Sequence, residues 1–398
     1  MRILHTSDWH AGKKNGNISR KEDLIHTLGE MKKFVISEKI DCVIVCGDIF
    51  DKPNTPPDIL EVVWDFFLEL NSIKVFSLII SGNHDSQDFL KSMSKLLQLA
   101  NVKVFANVIN PREIKKAIFQ YEDKNGEKIN FAVLPYPSPN LFAGENSSYE
   151  DELGKYIDLL FEEGAKERYP IIFVSHLFIS ESIPSGTEKE ISVLTSYSIR
   201  KTKIPQFSYC ALGHIHKSQR ISTTTTEIVY CGSPYQIDFG EREDENKGFY
   251  FLEISRGVLV KTEFQKIDQK RVLRQFEFDI DKNQIEKAIE EMKKYPKDIK
   301  KIKLKYSETQ GVREIVKWKT IINSEIENVV SIDTEEKTER GILKISDGQE
   351  ISEGTIDLNR LIDIYHKYFV NERKRKEEDF LKVREKLIEI MQKSEEKY

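Results

Sequence analysis

The chain has 398 residues, of which 39% are apolar, and its formal net charge is −5. This length predicts two or three domains, and the apolar content is sufficient for a sizeable core. The negative charge argues against a nucleic-acid partner, although two bound divalent cations would add about four positive charges at one place. We expect a cytoplasmic protein without a membrane partner, because no apolar run is long enough to span a bilayer and Met1 leads directly into a predicted strand.

Strands and helices alternate through the first part of the sequence. A strand starts at Arg2, and Ser19-Arg-Lys-Glu22 has the spacing of a capping box that would begin a helix ending near Ser37. The elements predicted next are a strand at 41–46, a helix at 57–70, a strand at 74–80, a helix at 88–99 and a strand at 102–105. This alternation is typical of βαβ units. Asn125-Gly126 predicts a hairpin between strands at 117–121 and 129–134.

The following segment is predicted to complete a two-sheet α/β sandwich with helices outside, spanning residues 1–267. A helix at 150–164 precedes a strand that ends at His176. The polar stretch 181–203 is either a flap over the site or a solvated loop. Strands at 227–231, 247–254 and 258–264 are expected to close a second, more antiparallel sheet.

The cysteines indicate a reduced protein. All four, Cys42, Cys46, Cys210 and Cys231, lie within apolar strand-like runs and lack the spacing of a metal finger. We therefore expect them to be reduced core residues rather than disulfides or metal ligands.

The pattern restarts after the sandwich and predicts a small α+β unit of βαβαβ order at 275–333. Residues 334–356 are charged and contain glycines, which indicates a linker. Residues 357–398 are predicted to be helical, with two apolar stripes that include Leu361, Tyr365, Phe380 and Leu387. Such stripes either pack on their own domain or occupy a groove on a partner, and the preceding linker favours the partner.

Five of the predicted strands end in residue types that commonly bind metals. The most informative is the run Asp41–Phe50, in which an apolar strand stops at Gly47 and then presents Asp48. The other strand ends carry Asp8 and His10, then Asn83, His84 and Asp85, then His176, and finally His214 and His216. Five of the eight histidines lie at these ends, and carboxylates with imidazoles suit divalent first-row metals. The pattern therefore predicts a metal centre at the carboxyl edge of the sheets.

Asp48 is the best-placed residue to bridge two metals. Metal-assisted hydrolysis of phosphate esters uses two cations about 3.5–4 Å apart, and a shared carboxylate is a natural bridge between them. His214 and His216 would point in opposite directions in an extended strand. We therefore infer that a turn lets each histidine reach a different metal.

These motifs resemble those of the calcineurin-like metallophosphoesterases. Within them they are most similar to the SbcD nuclease family, called the meiotic recombination eleven family in eukaryotes and archaea. The matching motifs, in order, are Asp8-Trp-His10, Gly47-Asp48, Gly82-Asn-His-Asp85, His176 and Gly213-His-Ile-His216. Gly232-Ser-Pro234, Phe239-Gly-Glu241 and Lys247-Gly248 look like the family's next segment. The resemblance covers the chain to about residue 255 and is only architectural beyond it.

The resemblance implies a ligand set and a cofactor. One metal would be held by Asp8, His10, Asp48 and His216, and the other by Asp48, Asn83, His176 and His214. His84 would steady the transition state or protonate the leaving oxygen instead of binding metal. Asp51 would either tune substrate placement or hydrogen-bond the ligand loop. The implied cofactor is two Mn²⁺ ions, with Mg²⁺ as the alternative.

The resemblance also implies partners. It predicts DNA as the substrate, in the form of duplex ends, hairpins and single strands. Residues 275–333 match the family's small capping domain, which touches the DNA. It predicts an SbcC-type coiled-coil ATPase bound by the terminal helical segment. It further predicts a homodimer formed through helices 57–70 and 88–99, although ordinary core packing is the alternative for about half of their apolar residues.

The function expected from the resemblance is a manganese-dependent DNA nuclease with double-strand exonuclease and single-strand endonuclease activity. It would act in double-strand-break repair as the nuclease subunit of a complex with an SMC-like ATPase. Two alternatives stay open, a DNA-end-binding scaffold with secondary nuclease activity and a small-substrate phosphodiesterase. Protein serine/threonine phosphatases are disfavoured, because Asp51-Lys-Pro53 and Asp85 replace the Asp-Arg-Gly and the glutamate of their pattern.

Overall fold

A computed structural model describes residues 1–142, 147–185, 197–241, 246–280, 285–306 and 312–336. Met1–Glu336 form one compact unit. The predicted linker from residue 337 onward and the predicted helical segment 357–398, with Leu361, Tyr365, Phe380 and Leu387, lie outside the described residues. Within the described ranges, no helix is both long and apolar enough to cross a membrane.

The secondary structure follows the alternation seen in the sequence. The strands are β1 (Arg2–Thr6), β2 (Lys14–Asn15), β3 (Ile18–Ser19), β4 (Cys42–Cys46), β5 (Phe76–Ile80), β6 (Val102–Phe105), β7 (Ile118–Glu122), β8 (Lys128–Leu134), β9 (Ile171–His176), β10 (Tyr209–Gly213), β11 (Gln219–Arg220), β12 (Ile228–Tyr230), β13 (Gly248–Ser255), β14 (Val258–Lys266), β15 (Leu273–Asp279), β16 (Ile299–Tyr306) and β17 (Val329–Glu336). The helices are α1 (Lys21–Ser37), α2 (Pro57–Ser72), α3 (Gln87–Leu99), α4 (Pro139–Phe142), α5 (Tyr149–Gly164), α6 (Ile285–Lys293) and α7 (Val312–Glu325).

The first sheet has the order β14-β13-β1-β4-β5-β6. Strands β1, β4, β5 and β6 are parallel, as expected of βαβ units, and α1, α2 and α3 connect them in sequence. Strand β13 pairs antiparallel with β1, and β14 pairs antiparallel with β13. The parallel strands therefore bring their carboxyl ends to one edge.

The second sheet has the order β11-β12-β10-β9-β8-β7. Its central strands β8, β9, β10 and β12 are parallel. The prediction that β13 and β14 close this sheet is wrong, because they extend the first sheet along the open edge of β1. The hairpin at Asn125-Gly126 is confirmed, since β7 and β8 pair antiparallel and Gly126 has φ +80°.

The two sheets enclose one core, and helices cover their outer faces. Phe131 and Val133 of β8 belong to the same core as Ile44 of the first sheet, and the alternate residues Ala132 and Leu134 pack instead with α5. Residues of α1 and α2 join the core on the other side of the first sheet. The layers are thus helix, sheet, sheet and helix, which confirms the predicted α/β sandwich.

The small unit after the sandwich is a parallel sheet, β15-β16-β17, with α6 and α7 as its crossover helices. It has its own core, which contains Ile302, Leu304 and Ile322. Strand β17 continues to Glu336, so it extends into the segment predicted to be a linker from residue 334. The strand is longer because its pairing with β16 continues through Lys305↔Glu335 and Tyr306↔Glu336.

The start of α1 also differs from the prediction. Ser19 is the last residue of the β2–β3 hairpin, where it pairs with Lys14. The helix starts at Lys21, and its N-cap Arg20 makes no side-chain capping hydrogen bond. The capping box is therefore wrong, because hairpin pairing holds Ser19 in an extended strand, and its Oγ accepts only from the Lys21 N–H, at 3.2 Å.

Two further predictions concern loops and cysteines. All four cysteines are free and buried, as predicted. Of the polar stretch 181–203, residues 186–196 lie outside the described residues. At its base the Ser180 N–H donates to the Ile199 carbonyl at 3.0 Å.

Candidate metal centre

The predicted ligand residues meet at the carboxyl ends of β1, β4, β5, β9 and β10. Five strands from two sheets therefore supply one site. The side chains that they bring together are those of Asp8, His10, Asp48, Asn83, His84, His176, His214 and His216. Asp8, His10, Asp48 and three of the histidines, His176, His214 and His216, are buried.

Four of these residues have a backbone conformation that L-residues rarely adopt. The φ angles are 51° at Asp8, 43° at His10, 49° at Asp48 and 99° at His214. Each such residue costs of order 1–3 kcal/mol and persists only where the surroundings hold it. Here the Asp8 N–H donates to Gly47 O and the His10 N–H to Asp48 O, both at 3.0 Å. These two hydrogen bonds join the ends of β1 and β4 and so hold the backbone there in the strained conformation.

Close backbone approach requires glycine at two strand ends. A Cβ on Gly82 would lie 2.1 Å from Asp48 Oδ1, and a Cβ on Gly213 would lie 2.0 Å from Cys46 O. These distances are far shorter than any van der Waals contact. The two glycines therefore allow β5 and β10 to approach the end of β4, which carries Asp48.

The first group of donors surrounds His10. Its Nε2 lies 3.1 Å from His216 Nε2 and 3.7 Å from Asp48 Oδ2. The ligand atoms of Asp8, His10 and His216 all lie within 4.8 Å of one another. Two imidazole nitrogens that face each other beside two carboxylates form an electron-rich pocket suited to a cation.

The second group of donors surrounds Asn83. Its Oδ1 lies 3.0 Å from His176 Nε2 and 3.1 Å from His214 Nδ1. The His176 Nδ1–H donates to Cys46 O at 2.8 Å, which turns Nε2 towards Asn83. His176 Nε2 also lies 3.5 Å from Asp48 Oδ2, so Asp48 lies between the two groups.

The inferred turn between His214 and His216 is present. His214 has a left-handed backbone, and its Nδ1 faces Asn83, whereas His216 Nε2 faces His10. The two histidines therefore belong to different groups of donors despite their separation of only two residues.

Burial and charge act together on Asp48 and His176. Burial alone would raise the pKa of Asp48, but His176 and then His10 hold it well below its usual range. Burial would lower the pKa of His176, but the Asp48 carboxylate raises it to about 9. Asp48 is thus an anion at neutral pH and attracts cations to the space between the two groups.

His84 lies beside the first group. Its backbone N–H donates to Asp48 Oδ1 at 2.8 Å, and its Nδ1–H donates to Asp51 O at 2.9 Å. Its ring centroid is 4.7 Å from that of His10. Ligand atoms of His10, Asp48 and His84 also lie within 4.8 Å of one another, so His84 is within ligand range of a metal in the first group.

Asp51 contacts both His84 and His10. Its carbonyl oxygen holds His84, and its Oδ1 lies 3.5 Å from His10 Nδ1 and 3.7 Å from Lys13 Nζ. Within the described residues, the buried His10 Nδ1 makes no hydrogen bond. Of the two predicted roles for Asp51, a hydrogen bond to the ligand loop is therefore present through its main chain.

Three residues contribute in ways that the sequence analysis did not foresee. Asp85 accepts hydrogen bonds from the backbone N–H groups of Phe50 at 2.9 Å and Gly82 at 2.8 Å, and so it ties the β4 and β5 loops together. Burial and the charge of Asp48 raise the pKa of Asp85 to about 6. Glu241 and Lys247 lie behind His216. The sequence pointed to Glu241 and Lys247 only because they lie in the motifs Phe239-Gly-Glu241 and Lys247-Gly248, which look like the family's segment after the last histidines.

The donor set fits a pair of divalent cations. It combines buried carboxylates, one amide oxygen and imidazoles in two groups that share Asp48. Oxygen and imidazole donors suit first-row divalent metals. By contrast, His5 is structural, since it is fully buried between Tyr209 Oη at 3.1 Å and Leu212 O at 3.3 Å, and burial lowers its pKa to about 3.

Comparison with known proteins identifies relatives. The profile of the calcineurin-like phosphoesterase family matches residues 1–218. The chain is 30% identical over 256 residues to the D component of Nuclease SbcCD from Bacillus subtilis (strain 168), which covers 61% of this chain and 63% of that protein. It is 25% identical over 288 residues to the protein of the same name from Staphylococcus epidermidis (strain ATCC 12228 / FDA PCI 1200), covering 70% and 73%.

These matches confirm the resemblance that the motifs indicated. The match to the Bacillus protein spans less than two thirds of that protein's length. Among solved structures, a dimetal phosphatase from Danio rerio aligns with a TM-score of 0.41 and 13% identity, over 64% of this chain and 93% of that chain.

Proposed function

Because the chain belongs to the calcineurin-like phosphoesterase family, we propose that it is a manganese-dependent DNA nuclease that hydrolyses phosphodiesters at a two-metal centre. The observation that carries the proposal is the position of Asp48 between two groups of nitrogen and oxygen donors. Similarity to two proteins named as the D component of Nuclease SbcCD supports DNA as the substrate. The proposed activities are double-strand exonuclease and single-strand endonuclease, acting in double-strand-break repair.

In this proposal each donor group holds one cation. Asp8, His10, Asp48 and His216 hold the first, and Asp48, Asn83, His176 and His214 hold the second. When bound, the cations would supply a nucleophile at neutral pH and would neutralise charge on the phosphoryl oxygens. Mn²⁺ is favoured over Mg²⁺ because imidazole is a poor ligand for Mg²⁺, which prefers oxygen.

His84 acts on the leaving group in this proposal. The Asp51 carbonyl accepts from its Nδ1–H, so Nε2, on the other side of the ring, is the nitrogen that would face the substrate. An imidazole can donate a proton near neutral pH, and it would donate to the oxygen that departs from phosphorus. The backbone N–H of His84 holds the Asp48 carboxylate whether or not the ring is present.

The remaining parts of the chain are assigned to partners. We propose that residues 275–333 form a domain that contacts DNA and that 334–356 form a linker, the first residues of which, 334–336, belong to β17. Residues 357–398 would bind an SbcC-type coiled-coil ATPase. A homodimer through α2 and α3 would use their exposed residues, such as Leu96, because Val63 and Phe67 are already buried in the core.

The test is hydrolysis by the purified full-length chain with Mn²⁺, Mg²⁺ or chelator. The substrates are labelled hairpin, single-stranded and duplex DNA, with bis(p-nitrophenyl) phosphate as a small diester. We expect manganese-dependent cleavage of DNA, and none in Asp48→Ala. Cleavage of the small diester without cleavage of any DNA would favour the small-substrate phosphodiesterase. Tight binding of DNA ends without cleavage under any metal would favour the scaffold alternative.

A further inference from the structure

A buried ion pair lies directly behind His216. Glu241 Oε2 and Lys247 Nζ are 2.5 Å apart, and their side chains are 0% and 1% exposed. Burying two charges has a desolvation cost of several kcal/mol per ion, which the attraction between them offsets only where the geometry is good and other hydrogen bonds assist. A pair of this kind in the core therefore has a structural or functional use.

Both members of the pair contact His216. Glu241 Oε1 lies 3.3 Å from His216 Nδ1. Lys247 Nζ donates to His216 O at 3.1 Å and to Ser233 Oγ at 3.0 Å. One charge thus faces the imidazole and the other holds the main chain of the same residue.

The contact to Nδ1 determines which nitrogen of His216 can bind a metal. A carboxylate only accepts hydrogen bonds, so it favours the proton on Nδ1 and leaves the lone pair on Nε2. Nε2 is the atom that faces His10 Nε2, at 3.1 Å. Lys247 Nζ lies beside Glu241 Oε2, and Oε1 is the carboxylate oxygen that faces His216 Nδ1.

We propose that Glu241 and Lys247 are positioning residues that hold His216 in the tautomer and orientation that present Nε2 to the metal beside Asp8 and His10. The inference rests on the proposed two-metal function, and it concerns one metal of the pair. Neither residue would touch the metal or the substrate. Their effect would therefore be confined to the site that contains His216.

The segment that carries Glu241 also packs against the small domain. The Ile237 N–H donates to Glu241 Oε1 at 3.2 Å, and Phe239 forms a hydrophobic cluster with Leu273 and Ile299. The Leu273 N–H donates to Gln236 Oε1 at 2.9 Å. The support of His216 is thus continuous with the contact between the sandwich and the small domain.

The variant that tests the inference is Glu241→Leu with Lys247→Met in the full-length chain, because leucine cannot accept from the His216 Nδ1–H. Removing both charges avoids an unpaired buried ion, and replacing a buried ion pair by neutral residues is often close to neutral for stability. Calorimetric titration of the metal-free protein with Mn²⁺ should show two sites in the wild type. In the double variant, affinity at one site should fall about 10–100-fold, the usual effect of losing an outer partner of a ligand. The other site should be unchanged.

Asp23→Asn is the matched control, because Asp23 pairs with Arg20 at 2.8 Å in another buried ion pair of the same domain. It should lower the melting temperature without changing either manganese affinity. If the double variant does not fold, Glu241→Leu with Lys247→Leu replaces it, since this change also removes both charges and the acceptor for His216.

The possible results distinguish failure of the proposed two-metal function from failure of the positioning role. A wild-type protein that binds no manganese would refute the proposed two-metal function itself. Two wild-type sites that persist unchanged in a folded double variant would refute only the positioning role. Equal weakening of both sites would also refute it, because the contacts reach His216 and not the second group.

Discussion

The separation between metal binding and proton transfer can be tested at His84. Replacing His84 by Gln removes the imidazole, the proposed proton donor, but keeps a side chain that can donate to Asp51 O. The backbone N–H that holds Asp48 Oδ1 at 2.8 Å is unaffected. The loss of one side-chain hydrogen bond costs at most about 0.5–1.5 kcal/mol of stability. The protein should therefore fold and bind two Mn²⁺ ions.

The expected effect on the reaction is much larger. General acid catalysis contributes about 10²–10⁴-fold, and a loss of 100-fold corresponds to about 2.7 kcal/mol in the barrier. The assay is single-turnover cleavage of labelled single-stranded DNA, together with calorimetric titration of Mn²⁺. His84→Gln should keep both metal sites and DNA binding while the rate falls roughly 100-fold or more.

The control and the contradictory result follow from the geometry. His26→Gln makes the same chemical change outside the metal centre, where His26 Nε2 contacts Asp268 O at 2.8 Å, and its rate should be that of the wild type. Ligand atoms of His84, His10 and Asp48 lie within 4.8 Å of one another. If manganese is lost in His84→Gln in parallel with activity, His84 is a ligand and the division of roles is wrong.

Three further predictions concern the bridge, its packing and the domain organisation. Asp48→Ala should lower metal occupancy and abolish hydrolysis, and elemental analysis that finds two full equivalents of metal in this variant would contradict the bridging role. Gly82→Ala should weaken manganese binding, because the added Cβ would lie 2.1 Å from Asp48 Oδ1 and must displace that carboxylate. Gly29→Ala is its control, since a Cβ there meets nothing within 4 Å, and it should stabilise α1 by up to about 1 kcal/mol in thermal unfolding. Ending the chain at Ser346 retains the compact unit Met1–Glu336, so manganese-dependent cleavage of single-stranded DNA should survive while co-elution with the ATPase is lost. A truncated protein that unfolds, or that still co-elutes with the ATPase, would disprove the assignment of the terminal segment.

The sequence by itself determined the features that depend on neighbouring residues. The alternation of apolar runs with amphipathic helices specifies parallel βαβ units, because helical and extended chains bury residues with different periods. The donors at the ends of those strands could be identified because parallel strands deliver their carboxyl ends to one edge. The hairpin at Asn125-Gly126 followed from the turn preference of that dipeptide.

Only the tertiary structure decided features that depend on distant partners. The local pattern of β13 and β14 is compatible with either sheet, and they join the first because β1 offers an open edge. Ser19 has the right spacing for a helix cap, but pairing with Lys14 overrides that local preference. Strand β17 runs beyond its apolar residues because β16, which lies far away in the sequence, continues to pair with it as far as Tyr306↔Glu336.

The same distinction applies within the metal centre. The ligands carry their chemistry in their own side chains, so the residue types at the strand ends were informative. The residues around the ligands act instead through the groups that they contact. Asp85 accepts hydrogen bonds from the Phe50 and Gly82 N–H groups, and Glu241 contacts a histidine 25 positions earlier in the chain. A carboxylate that serves a ligand has no local sequence pattern, because its role exists only once folding has removed both groups from water and placed them in contact.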